Sequence, residues 1–133
     1  MKIVLDSSVL IAASISRAGV CAELLEDVLT HHDWIISDFI VDEVAEKPGE
    51  KFRFPKKEIA DLCRFLRSTA RLVEPAELDP RICRDPEDVP VLGTAVAADA
   101  DLLISVDKDL LELGTFQGID IVKPGEFWKR TTS

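Results

Sequence analysis

In the stretch Lys2-Ile3-Val4-Leu5-Asp6-Ser7-Ser8-Val9-Leu10-Ile11, a short apolar run is closed by an acid and gives way at once to helical patterning. Lys2 to Leu5 reads as a strand, and Val9 to Ala13 begins a helix that Ser7 or Ser8 could cap. The same alternation recurs. A helix after Gly19 places Val20, Leu24, Leu25, Val28 and Leu29 on one face and ends near His31 and His32, which at a helix end suit contact with terminal carbonyls better than metal chemistry. Trp34 to Ile36 is a second strand, and Ser37 or Asp38 caps a helix carrying Ile40, Val41, Val44 and Ala45 inward until Pro48 and Gly49 end it. Pro55 starts another helical pattern (Ile59, Leu62, Cys63, Leu66), and Leu72 and Val73 suit a strand. After a proline-punctuated loop from Glu74 to Pro86, an alanine-rich helix runs to about Ala100. Leu102 to Val106 and Ile119 to Val122 are further strands.

Strands separated by helices need crossover connections, which predicts an α/β fold with a parallel sheet covered on both faces. The length of 133 residues suits a single domain, 1–133, and 47% hydrophobic residues supply a core. The first carboxylate follows three apolar residues and no later apolar run is long enough to cross a bilayer, so a cytoplasmic protein is expected. Cys21, Cys63 and Cys83 are odd in number and widely spaced, which argues for inert thiols over a disulfide framework or a zinc site. Trp34 and Trp128 are isolated and suit packing rather than base stacking.

In an open parallel sheet the binding crevice lies at the carboxyl ends of the strands. Asp6 ends the first strand, Asp107 ends the Leu102 to Val106 strand, Asp88 stands where the alanine-rich helix begins, and Glu43 lies one to two turns into the helix after the second strand. Each has an ordinary alternative: Asp88 as a helix cap with Pro90 in the first turn, Asp6 and Asp107 as turn residues, Glu43 as an exposed helix acid. If the four converge, their repulsion calls for a cation, and an oxygen-only donor set suits Mg²⁺ or Mn²⁺.

The net charge of −9 runs against nucleic-acid binding, but it is uneven. Between Lys47 and Arg71 stand eight of the 16 basic residues against Glu50, Glu58 and Asp61, so this segment carries +5 and the rest −14. Lys56, Lys57, Arg64, Arg67 and Arg71 recur at helical spacing, as an RNA-backbone track or as a merely solvated face.

The ordered set Leu-Asp6-Ser-Ser-Val-Leu-Ile, Asp-Glu43-Val, Arg-Asp-Pro-Glu-Asp88 and Ile-Ser-Val-Asp107-Lys-Asp-Leu resembles the PIN-domain family, with nearest likeness to bacterial and archaeal members counted as toxins of toxin–antitoxin pairs. The resemblance implies a three-layer α/β/α sandwich with a mostly parallel sheet, related to the core of flap nucleases. It also implies a ribonuclease using Mg²⁺ or Mn²⁺, an RNA substrate, an antitoxin protein as partner, and a homodimer. Carried over by position, Asp6, Glu43, Asp88 and Asp107 are the catalytic and metal-binding acids, with Ser7 and Ser105 as polar support. Asp85 and Asp109 are further acids near the site, although Asp85 belongs to the loop signature and Asp109 could cap the short helix after Asp107. Pro90 departs from the family pattern, in which a residue with an amide hydrogen is usual. Two other readings compete. One is a non-catalytic RNA- or protein-binding module on the same fold, against which retention of the acids weighs. The other is a magnesium-dependent phosphatase of the haloacid dehalogenase type, whose DxDx motif does not match Asp6-Ser7-Ser8-Val9.

Overall fold

The computed structural model describes residues 1–16, 19–51 and 55–131. In chain order the elements are β1 (Lys2–Leu5), α1 (Ser7–Ile15), α2 (Val20–His31), β2 (Asp33–Ile36), α3 (Asp38–Lys51), α4 (Lys56–Thr69), β3 (Arg71–Leu72), α5 (Asp88–Ala97), β4 (Leu102–Ile104), α6 (Lys108–Leu113), β5 (Thr115–Phe116), β6 (Ile119–Val122) and α7 (Pro124–Thr131). They build one six-stranded sheet in the order β3-β2-β1-β4-β6-β5. All neighbours pair parallel except β5 with β6.

The order explains where a site can form. The chain moves outward from β1 to β2 to β3, then returns to lay β4 on the other side of β1. By the right-handed rule for parallel crossovers, the helices between β1 and β3 cover one face, while α5 and α6 cover the other. Connections therefore diverge above β1 and β4, and a crevice opens at their carboxyl ends. Leu5 is in register with Ile104, so the residues that follow, Asp6 and Ser105, emerge side by side. Strands β1, β2 and β4 are buried on both faces, with Ile3, Val4, Leu5, Ile35, Ile36, Leu103 and Ile104 fully inaccessible, as sheets covered on both sides require.

Several boundaries differ from those the sequence suggests. Pro48 and Gly49 do not stop α3, which runs to Lys51. Proline deep in a helix forfeits one backbone bond, here the one its nitrogen cannot give Val44, and the helix ends within the next turn. β4 stops at Ile104, two residues short of Val106, whose side chain is exposed. The third strand is Arg71–Leu72, not Leu72 and Val73, although the Val73 amide still donates to Ile36 O. α5 ends at Ala97, short of Ala100. The cap of α1 is Asp6 itself, so Ser7 and Ser8 lie inside the helix. For α3, Ser37 is the cap, its Oγ accepting the Ile40 amide. His31 and His32 turn their side chains to Asp27 rather than to helix carbonyls.

Two elements, β5 and α7, are not among those expected from the sequence. β5 and β6 are joined by the two-residue turn Gln117-Gly118, both with positive φ (50° and 82°), the backbone that matches the twist of a tight hairpin. α7 opens on Pro124 and buries Phe127 completely. Trp34 and Trp128 pack as expected, against Phe65 and Phe127. The cysteines are free, Cys63 and Cys83 buried and Cys21 partly so, and burial raises all three thiol pKa values. Among the described residues no single helix is long and apolar enough to cross a membrane.

The long loop from Val73 to Glu87 is anchored to α5 at Gly93. The Gly93 carbonyl accepts the Ala76 amide at 2.9 Å, and a Cβ on Gly93 would stand 2.4 Å from Ala76 O. This glycine lets the loop lie directly on the helix whose first residue is Asp88.

Candidate metal centre

The carboxyl ends of β1 and β4 bring the acids together through a set of serine hydroxyls. Asp6 is buried and held from two directions: Ser8 Oγ donates to its Oδ2 at 2.9 Å and Ser105 Oγ to the same oxygen at 2.7 Å. Ser105 Oγ in turn accepts the Asp107 amide at 2.9 Å, so one hydroxyl couples the acid after β1 to the acid after β4. Ser7 lies in the first turn of α1 and donates to Glu43 Oε1 at 3.1 Å, with Asp6 Oδ1 at 3.5 Å. Glu43, far from an exposed helix acid, is 8% exposed, and its other oxygen meets Lys47 Nζ at 3.1 Å one turn along α3. Burial raises the Glu43 pKa, while Lys47 and Ser7 pull it back.

Asp88, Asp107 and Asp109 form the tightest group, each offering a carboxylate oxygen within 4.8 Å of the others'. Asp107, and not Asp109, caps α6, its Oδ1 accepting the Asp109 amide at 2.8 Å. Asp109 is thereby freed to face the cluster. Asp88 is the first residue of α5 and does not cap it; Asp85 shapes the turn instead, its Oδ1 accepting the Glu87 amide and its carbonyl the Asp88 amide. Pro90 fits this start, since a residue in the first turn has no helical acceptor for an amide hydrogen. Thr94 braces the next turn, its hydroxyl 2.8 Å from Pro90 O and 2.7 Å from Ser37 Oγ at the start of α3.

The Asp88 side chain is the anomaly. The residue is 7% exposed, and its Oδ2 is buried with no hydrogen-bond partner. Burial first, then the charge of Asp107 and a side-chain hydrogen bond with it, and then the charges of Asp85 and Asp6, push its pKa up to about 8. A buried carboxylate oxygen without a donor, in a group beside two more carboxylates, leaves a place for a positive charge. These residues fit a hard divalent cation: the donors are all oxygens and the orphaned atom belongs to a member of the cluster.

The basic residues expected to track RNA are exposed on α4 and β3, but not all are uncommitted. Arg64 pairs with Asp61 at 3.0 Å, and Arg67 reaches Asp38 at 3.1 Å and Asp42 at 3.8 Å. Lys56, Lys57 and Arg71 are exposed. Arg53, and the side chains of Lys51 and Glu50, lie outside the described residues. Two contributors do not stand out in the sequence. Lys47 reads there as one more charge of a basic segment, although its i,i+4 spacing from Glu43 is visible. Ser8 reads there only as a helix cap.

Comparison with known proteins gives the family and the fold. The PIN domain family matches residues 2–109. The chain belongs to the PIN domain family. No curated protein matches it. Among solved structures, this PIN domain is similar to a chain of the crystal structure of VapBC2 from Rickettsia felis bound to a DNA fragment from its promoter. The TM-score is 0.67 and the identity 12%, covering 92% of this chain and 98% of that one. It is likewise similar to a chain of VapBC-1 from nontypeable Haemophilus influenzae, with a TM-score of 0.66 and 14% identity over 94% and 99% of the two chains. At these identities the likeness shows a shared fold.

Proposed function

We propose that this PIN domain is a divalent-metal-dependent ribonuclease that hydrolyses RNA phosphodiester bonds as the toxin of a toxin–antitoxin pair, acting as a homodimer and held in check by an antitoxin protein. The observation that carries the reading is the buried, partnerless Asp88 Oδ2 in an acid whose carboxylate lies within 4.8 Å reach of Asp107 and Asp109. Family membership and the shared fold with VapBC chains support the nuclease and the antitoxin partner.

Asp88, Asp107 and Asp109 would hold Mg²⁺ or Mn²⁺, with Asp6 and Glu43 beside them. When bound, such an ion makes water a stronger nucleophile and stabilises charge on phosphate oxygens. The chain's own residues do the positioning. Ser8 and Ser105 fix the Asp6 carboxylate, Ser7 ties Glu43 to the start of α1, and Asp107 is oriented by the Asp109 amide. Without a cation, Asp88 holds a proton at neutral pH, which quiets the repulsion of its neighbours. The basic residues of α4 supply positive charge for the RNA backbone in an acidic protein.

The test is to incubate pure protein with RNA and Mn²⁺, with EDTA and with Asp107→Asn in parallel. Cleavage stops with EDTA, Asp107→Asn loses about a thousandfold, or about 4 kcal/mol of transition-state stabilisation, and Asp33→Asn stays near wild type. The new ends carry 5′-phosphates. A 2′,3′-cyclic phosphate would mean that the RNA's own 2′-hydroxyl attacks, and would end the activated-water reading.

A further inference from the structure

Glu43 differs from the other acids of the site in the close ammonium that pairs with one of its oxygens while a hydroxyl takes the other. Ser7 Oγ donates to Oε1 at 3.1 Å, and Lys47 Nζ meets Oε2 at 3.1 Å. The pair stands one turn apart on α3 and lines a cleft of about 360 Å³ with Phe39, Asp42, Glu46 and Glu87. Lys47 is the one cation among those lining residues. Among the described residues, the group of Asp88, Asp107 and Asp109 has nothing equivalent: its ion pair joins Asp109 to Arg84 at 4.0 Å, and that arginine side chain is 80% exposed. One side of the acidic site therefore carries its own positive charge, while the other holds the orphaned Asp88 oxygen.

We propose that Lys47 is a tethered cation that fills the Glu43 side of the site, so that the RNA-free chain takes one divalent ion, at Asp88, Asp107 and Asp109, and Glu43 is released to a second ion only when Lys47 leaves. This rests on reading the acid cluster as a metal centre. An ammonium and a divalent ion on the same carboxylate repel each other, more strongly where water is scarce. The lysine stem is flexible and its side chain 46% exposed, so the ammonium can swing outward without disturbing the core. A backbone phosphate of RNA has the charge to draw it out. Substrate arrival would then complete the metal set, and the acids would not gather surplus cations beforehand.

Mn²⁺ titration of the metal-free protein by calorimetry, with bound ions counted by electron paramagnetic resonance, tests this without any turnover. Wild type binds one ion per chain. Lys47→Met gains a second ion, or binds the second roughly tenfold more tightly, and Lys47→Arg behaves as wild type. In a Glu43→Gln background Lys47→Met has no further effect, because the carboxylate over which the cations compete is gone. Thermal melts confirm that each variant is folded. Unchanged ion count and affinity in Lys47→Met, or the same gain with Glu43→Gln present, overturns the proposal while leaving the metal centre standing. Failure of wild type to bind any Mn²⁺ overturns the metal centre itself. Mn²⁺ binding without RNA cleavage overturns only the nuclease reading, and leaves the Lys47 result to be judged from the ion count.

Discussion

Ser105 Oγ donates to Asp6 Oδ2 at 2.7 Å across the β1–β4 seam, and the same hydroxyl oxygen accepts the Asp107 amide at 2.9 Å. Ser105→Ala leaves a buried carboxylate oxygen with one donor fewer and a backbone amide without its acceptor. The expected cost is about 1–3 kcal/mol, read from the urea midpoint of the metal-free protein. RNA turnover falls with it, since Asp6 and Asp107 lose their common support. A midpoint and turnover equal to wild type would show that this hydroxyl couples nothing.

Asp88 sets the pH dependence of the metal-free protein. Its carboxyl titrates near 3.8 when unfolded and about 8 when folded, so between those values the folded chain keeps a proton that the unfolded chain has released. Stability is then greatest at the acid end of that window and falls as pH rises toward 8. Glu43, also raised, acts in the same direction. In EDTA, the melting temperature should be higher at about pH 5 than at about pH 8, Asp88→Asn should flatten the difference, and Mn²⁺ should restore wild type at the higher pH. A melting temperature that rises with pH in EDTA contradicts the buried-acid assignment.

Gly93 is predicted to be a sensitive position although it touches no acid. A methyl group there meets Ala76 O at 2.4 Å, and backbone cannot retreat as a flexible side chain would. Gly93→Ala therefore loses more than the roughly 1 kcal/mol that alanine ordinarily gains over glycine within a helix, for a net destabilisation of about 1–3 kcal/mol. Denaturant unfolding measures it. A stabilised variant would show that the loop over α5 yields easily.

The α4 arginines should hold RNA without taking part in the chemistry. Arg64 and Arg67 are paired with exposed acids, and such pairs are weak enough to be exchanged for phosphates. An Arg64→Ala, Arg67→Ala double variant, measured in an Asp107→Asn background that spares the substrate, should bind RNA more weakly. Its log–log salt slope should fall by somewhat less than about 1 for each phosphate that the variant no longer neutralises. Equal affinity at all salt concentrations would assign this face to solvation alone.

The strand-then-acid pattern at Leu5-Asp6, the helix starts at Ser37 and Pro55, and the alternation that demands a parallel sheet were all legible in the sequence. They depend on neighbours a few residues apart, and periodicity records such neighbours directly. The placement of Asp6, Glu43, Asp88 and Asp107 near strand and helix ends was legible for the same reason, since each sits at a fixed distance along the chain from such an end. How the acids divide is a matter of tertiary structure. Only the register of β1 with β4 brings Ser105 between Asp6 and Asp107, and only the turn of α6 aims Asp109 at Asp88 while Asp107 takes the cap. The partnering of Glu43 by Ser7 likewise depends on α3 packing beside α1, whereas its i,i+4 pairing with Lys47 is local to α3. Local spacing sets which face of an element a side chain occupies, but partners 36 or 99 residues away are chosen by how the sheet and its helices pack. Packing also decides how much water remains around a carboxylate, and so which acid is left in need of a cation.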